Sequence, residues 1–348
     1  VLCVALCVNV WTGYLSTVAA ALNRLSGAPL GGQIDAATFR EMQRKGEIPL
    51  NGTILSVTIP DDASGFKHRD ELVYLPPSWY ATKPAPVLPV VMMIGGEFGH
   101  PTDWPRAGAT KILDDFAQRH AGNAPVVVWV DQSGAFSNDT ECVNGTRGNA
   151  ADHLTKDVVP YIISNFQVSA DPAHWGVAGW SAGGTCALTL TVKYPELFTA
   201  FLDIDGQIGP NAGTAQQTIY RLFGGDHEAW AAFDPKTLMM QHGRYQGISG
   251  WFAVSGSTAS VYRAGAAKPY DIDIPEPDRS DTGDNAAVAQ YMCALASSYG
   301  IECADVPDAG HHDFQNAVRI FGSALPWLAG KLGTPGVPSV PLPGAPQS

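Results

Sequence analysis

From Gly52 onward, apolar residues fall in short runs that alternate with stretches of helical spacing. Thr53–Ile59 alternates and is β-rich, and Asp70–Leu75 is a second such run that stops at Pro76-Pro77, which predicts two strands at the start of a sheet. Val87–Ile94 is an unbroken apolar run closed by Gly95-Gly96, as a strand buried on both faces requires. Ala107–Arg119 has helical spacing, Val126–Val130 reads as another buried strand, and His153–Phe166 as a helix. An apolar run (Trp175, Val177, Ala178) then enters a glycine-rich turn and an Ala/Leu/Thr-rich helical stretch. Ala200–Ile204, Gly250–Val254 and Ile301–Val306 complete the strands. Asn285–Tyr299 and Phe314–Leu332 read as helices, the second interrupted near Pro326. Strands alternating with helices after an initial hairpin specify an α/β fold with a mostly parallel, doubly wound sheet and antiparallel strands at its start.

The same pattern divides the chain. Residues 1–26 form a hydrophobic segment, uncharged through Leu22, whose length suits a membrane span; a signal peptide cut near Val18-Ala19-Ala20-Ala21, or an apolar helix packed on the domain, competes with that reading. Residues 27–51 are a polar connector with one short helix, Ala36–Lys45, and residues 52–332 are the α/β domain itself. Residues 207–250 lack strand character, carry Tyr220, Phe223, Trp230 and Phe233, and are expected to form a cap. Residues 333–348 are Pro-rich and expected to be an extended, mobile end.

Composition narrows the function. A net charge of −12 argues against nucleic acid as a partner. The nine histidines and six cysteines show no zinc-type spacing, so neither a metal nor a cofactor is expected. Cys293 and Cys303 flank a helix–strand turn and can bridge, with Cys142 and Cys186 as a second pair. Together with the uncharged start, they point to a domain working outside the cytoplasm, secreted or membrane-anchored. The Asn-x-Thr triplets at Asn51, Asn138 and Asn144 carry meaning only in a eukaryotic secretory pathway.

The chemistry centres on Gly179-Trp180-Ser181-Ala182-Gly183, a Gly-x-Ser-x-Gly motif between a predicted strand and a predicted helix. That context lifts a serine hydroxyl above a sheet on a strained turn and aims the helix N-terminal N–H groups at a developing oxyanion. In this topology the base follows the last strand, where His311 and His312 compete; His68, His100, His120 and His242 are isolated and read as surface residues. The acid is expected in the loop after Gly250–Val254, among Asp271, Asp273, Glu276, Asp278, Asp281 and Asp284. Asp284, directly before a helix, is the first choice and Asp281 the alternative, although Asp284 also suits a helix N-cap. The N–H groups of Ala182 and Gly96 are the expected oxyanion hole. Glu97, Phe98, Trp180 and Trp230 are the expected substrate-binding residues, Glu97 being unusual because a carboxylate facing an oxyanion opposes its stabilisation.

Over about residues 50–330 the chain resembles the esterase D-like branch of the α/β-hydrolases, which includes S-formylglutathione hydrolases, feruloyl esterases and mycolyltransferases. The resemblance rests on Gly95-Gly96 followed by Asp103-Trp104, on the Ser181 motif, and on Gly310-x-His312-Asp313-Phe314, which selects His312 over His311. Thr282-Gly283-Asp284 is similar to the family's acid-bearing segment. The resemblance implies a serine acyl-enzyme mechanism without a cofactor. The expected substrate is an ester of a cell-envelope lipid or acylated glycan, met at a membrane through the N-terminal segment. An acyltransferase of the mycolyltransferase type uses the same triad, and a lipid- or carbohydrate-binding module that has lost catalysis is the non-enzymatic alternative.

Overall fold

The computed structural model describes residues 28–263, 272, 274–279 and 283–345. The expectations for residues 1–26 and for Asp271, Asp273 and Asp281 therefore lie outside the described residues. Among the described residues, no helix is long and apolar enough to cross a membrane.

Helix α1 (Ala36–Lys45) precedes the sheet, capped by Asp35 at its start and by left-handed Gly46 at its end. Strands β1 (Thr53–Val57) and β2 (Glu71–Leu75) follow, then β3 (Val90–Ile94), the short α2 (Asp103–Arg106), α3 (Ala109–Arg119) and β4 (Val126–Trp129). A two-residue hairpin, β5 (Asn144–Gly145) with β6 (Gly148–Asn149), leads into a helix of mixed pitch. Its parts are α4 (Ala150–Asp152), a π-helical turn at His153–Val158, and α5 (Val159–Phe166). Then come β7 (Trp175–Trp180), α6 (Ala182–Lys193) and β8 (Ala200–Ile204). Three short helices follow, α7 (Ala215–Phe223), α8 (His227–Ala231) and α9 (Pro235–His242). The chain closes with β9 (Ser249–Ser255), α10 (Asn285–Ser298), β10 (Glu302–Asp308) and α11 (Phe314–Lys331).

The eight-stranded sheet has the order β1-β2-β4-β3-β7-β8-β9-β10. Pairs β1/β2 and β2/β4 are antiparallel, and every later pair is parallel. Alternation along β7 sends Trp175 and Val177 to one core and Ala178 and Trp180 to the other. The first core takes residues of α5, α6 and α10; the second takes α3 and α11. The central strand is thus buried on both faces, and its carboxyl end lies in the middle of the sheet, where open α/β folds place their sites.

Two expectations change. α11 runs through Pro326 without a break, because Ala324, Leu325, Trp327 and Leu328 around it are all buried. That burial outweighs the roughly 3 kcal/mol cost of an internal proline. The Pro-rich segment, where described, is folded onto the domain: Thr334 and Leu342 are buried, and Arg263 donates to the Leu342 carbonyl.

Candidate active site

Ser181 sits between β7 and α6 at φ 56° and ψ −123°, a conformation costly for a residue with a Cβ. The flanking glycines make the turn possible. A Cβ on Gly179 would lie 2.0 Å from the Gly183 carbonyl oxygen, and one on Gly183 would lie 2.5 Å from the carbonyls of Ile94 and Gly95. The turn is therefore pressed against the end of β3. The Ser181 N–H donates to Ile204 at the end of β8 (2.8 Å), and its carbonyl accepts from Gly184 and Thr185 as α6 begins.

His312 follows β10 and is half-buried, whereas His311 is exposed. The His312 ring lies 5.1 Å from the ring of Trp180, the residue before Ser181. The motif around it has a local cause: Asp313 caps α11 by accepting from the Asn316 N–H, and a Cβ on Gly310 would strike the Asn316 amide.

Among the described residues, the carboxylate within ion-pair reach of His312 is Asp205, with Oδ2 at 3.4 Å from Nδ1. Asp205 is buried at the carboxyl end of β8 in a left-handed conformation, φ 54°. Its carboxylate accepts from the Ser255 N–H (2.7 Å) and hydroxyl (2.6 Å). Asn316 in turn donates to the Ser255 hydroxyl (2.9 Å), so a chain of donors fixes the orientation of the Asp205 carboxylate. The Asn285 amide, at the start of α10, lies 3.2 Å from the same Nδ1 and 3.4 Å from the Asp205 carbonyl. The structure places Asp284 differently from the expectation. It is exposed, and its carboxylate accepts from the Ala287 N–H (3.0 Å) as the α10 N-cap. The alternative acid Asp281 lies outside the described residues.

The loop after β3 is held by its carbonyls. The buried Gln132 amide donates to Gly95 (3.2 Å) and Gly96 (3.3 Å). The Gly95 carbonyl and the Gly96 N–H belong to one trans peptide, so this bond turns the Gly96 N–H to the opposite side. The Ala182 N–H is the first of α6. Arg69 steadies the same loop by donating to the Gly99 carbonyl (2.9 Å) while pairing with Asp131 (2.5 Å). Burial alone would raise the Asp131 carboxyl, but Arg69 and the Gly134 N–H hold it below its ordinary range.

Glu97 is exposed at the tip of that loop. Partial dehydration and the nearby Asp139 push its carboxyl up, with Arg147 opposing. Behind it the buried Glu141 is pushed well above the usual carboxylate range by desolvation, then by Asp139. Phe98, also left-handed, packs against exposed Phe136 with ring centroids 5.1 Å apart. Cys142, next to Glu141, is bonded to Cys186 on α6, and Cys293 to Cys303, each with Cα atoms 5.7 Å apart. Both pairs match the sequence expectation.

The segment between β8 and β9 is helical, as a cap would be. Its α7 lies against the β5–β6 hairpin, where Thr146 donates to the Leu222 carbonyl, and its α9 packs on α6. Trp230 is partly buried beneath the Arg279 guanidinium, 5.5 Å from its ring centroid, and Phe223 packs on Phe233.

A strained seryl turn at the centre of this sheet, followed by a helix and faced by a histidine after the last strand, defines the α/β-hydrolase class of serine hydrolases and acyltransferases. A family profile described as "Putative esterase" matches residues 67–260. The chain belongs to that family. An uncharacterized protein of Corynebacterium glutamicum is 36% identical over 249 residues, covering 69% of this chain and 57% of its own length. The chain thus spans little more than half the length of that curated relative. Among solved structures, a ferulic acid esterase superposes with TM-score 0.58 at 13% identity, covering 81% of this chain and 99% of its own. S-formylglutathione hydrolase of Agrobacterium tumefaciens gives 0.58 at 16% identity, covering 82% and 97%. MPT51 of Mycobacterium tuberculosis gives 0.50 at 16%, covering 79% and 99%. At these identities the likeness is one of fold.

Proposed function

We propose that the protein is a serine esterase working through an acyl-enzyme, with Ser181 as nucleophile, His312 as base and Asp205, not Asp284, as the orienting acid. The observation that carries this reading is the strained Ser181 turn beside a histidine whose Nδ1 faces a buried, donor-fixed carboxylate. With Nδ1–H held by Asp205, Nε2 is the nitrogen left to take the Ser181 proton. Ser181 Oγ attacks the ester carbonyl, and the oxyanion is met by the N–H groups of Ala182 and Gly96. The alcohol leaves with the proton from His312, and a second hydroxyl, from water, repeats the sequence in reverse.

The substrate we propose is an ester of a cell-envelope lipid or acylated glycan. Phe98 and the exposed Phe136 packed on it suit an apolar acyl or aryl group, and Glu97 a hydroxyl-rich or cationic alcohol. Trp180, buried in the second core, would support the His312 ring, and Trp230 would line the cap. Two disulfides suit an oxidising compartment outside the cytoplasm. Ser181→Ala is expected to lower turnover of a short-chain p-nitrophenyl ester at least about a thousandfold and to abolish labelling by a serine-directed phosphonate. Near-normal turnover would overturn the assignment. Mass spectrometry of envelope lipids incubated with wild type and Ser181→Ala identifies the ester consumed and whether water or a sugar hydroxyl accepts the acyl group.

A further inference from the structure

A second cluster of chemically competent side chains lies outside the catalytic constellation. Glu71, the first residue of β2, is fully buried, and one of its oxygens, Oε1, is approached by two imidazoles. His68 Nδ1 lies 2.9 Å from it and His153 Nε2 lies 3.0 Å from it. The two rings stack with centroids 4.0 Å apart. His153 opens the π-helical turn, an element that proteins often keep at functional sites.

The outer nitrogens of both rings are committed elsewhere. His68 Nε2 faces the Ile59 carbonyl at 2.9 Å, and His153 Nδ1 faces Asp157 Oδ2 at 3.3 Å. Donation of the outer N–H to a carbonyl or carboxylate is what orients a metal-ligating histidine and bares its inner nitrogen. Here the two inner nitrogens converge on one carboxylate oxygen. The second Glu71 oxygen is buried without a hydrogen-bond partner among the described residues. The Arg69 carbonyl, 2.8 Å from His68 Nδ1, adds a further oxygen on that side.

We propose that His68 Nδ1, Glu71 and His153 Nε2 form a binding site for a divalent transition metal, with Zn²⁺ the best fit to two imidazoles and a carboxylate. The ligand atoms of the three residues all lie within 4.8 Å of one another. Tetrahedral zinc with bonds near 2.0–2.1 Å separates its ligands by about 3.4 Å, so the contacts at Oε1 need to open by only a few tenths of an ångström. Asp157, which also accepts from the Ala63 N–H at 3.0 Å, is the outer carboxylate behind His153. The metal would tie the segment before β2 to the helix that begins at Ala150, next to the Arg69 strut on the oxyanion loop. Sequence spacing does not show such a site, because His153 lies 82 residues from Glu71.

The test uses the whole chain stripped with EDTA and titrated with Zn²⁺, with Co²⁺ as the spectroscopic probe. Expected are one equivalent of Zn²⁺ per chain and, at a hundredfold excess over Kd, a Tm rise of about 5 °C. X-ray absorption should show two imidazoles in the first shell. His68→Gln and His153→Gln should each lose the binding, while Ser181→Ala and His312→Ala keep it. No stoichiometric binding by wild type overturns the proposal, as does binding that persists in folded His153→Gln or disappears in His312→Ala. If the buried variants fail to fold, the wild-type stoichiometry and ligand shell decide alone: a shell without two imidazoles refutes the site.

Discussion

Replacing Asp205 by Asn tests the assignment of the acid most directly. The imidazolium formed when His312 takes the Ser181 proton faces a carboxylate oxygen at 3.4 Å. At an effective dielectric constant of ~20, that attraction is worth about 5 kcal/mol, or roughly three and a half decades of rate. The His312 side chain is 31% exposed. Water screens part of the attraction, so the expected loss in kcat for a p-nitrophenyl ester is about a thousandfold, with KM little changed. Asn keeps one oxygen for the Ser255 donors, so the fold should survive; circular dichroism and Tm check this. Asp284→Asn is the matched control. Asn caps a helix about as well as Asp, so stability should hold and activity should stay within about twofold. Asp281→Asn should behave like that control. An Asp284 or Asp281 variant that loses a thousandfold while Asp205→Asn retains activity refutes the assignment of Asp205.

Gly183→Ala drives a Cβ toward the carbonyls of Ile94 and Gly95 and should cost at least about a hundredfold in kcat/KM by displacing Ser181, read in the same assay. Phe98→Ala should raise KM for a long-chain or aryl ester much more than for an acetyl ester, and equal effects would place the acyl group elsewhere. Burial raises the Asp203 carboxyl to about 8, so the folded state holds a proton that the unfolded chain releases near its ordinary 3.8. Stability from this group therefore falls as pH rises from about 4 to about 8. Asp203→Asn removes that slope, and its Tm relative to wild type should climb between pH 5 and pH 8. Replacing both Cys142 and Cys186 by Ala opens a link across 44 residues and should cost up to about 4 kcal/mol in denaturant unfolding.

The sheet was legible because strands buried on both faces tend to be continuously apolar, and Val90–Ile94 and Val126–Trp129 are. The Ser181 turn was legible because its glycines are sterically required. The acid was not. The sequence shows Asp205 only as the polar end of a strand, and its meaning depends on Ser255 and His312 arriving from distant elements. The long acidic loop drew attention instead, since solvated carboxylates and a cap such as Asp284 look alike in sequence. The helices between β8 and β9 rest on terminal signals rather than long periodicity: the Thr214–Gln217 capping box, Asp226 and Asp234. Proline content in the tail does not report that Thr334 and Leu342 find places in the core.

The Cys142–Cys186 bond joins the segment carrying Glu141 to the helix that follows Ser181. The Ser181 turn has other supports, the Gly183 contact with β3 and the Ser181 bond to Ile204. Opening the disulfide should therefore loosen the wall behind Glu97 while leaving Ser181 in place. Reactivity and discrimination become separately adjustable. A chain matured under reducing conditions should react with a small phosphonate at nearly the oxidised rate, yet choose less sharply between a bulky ester and a small one. Its preference among substrates would carry a record of the compartment in which it folded.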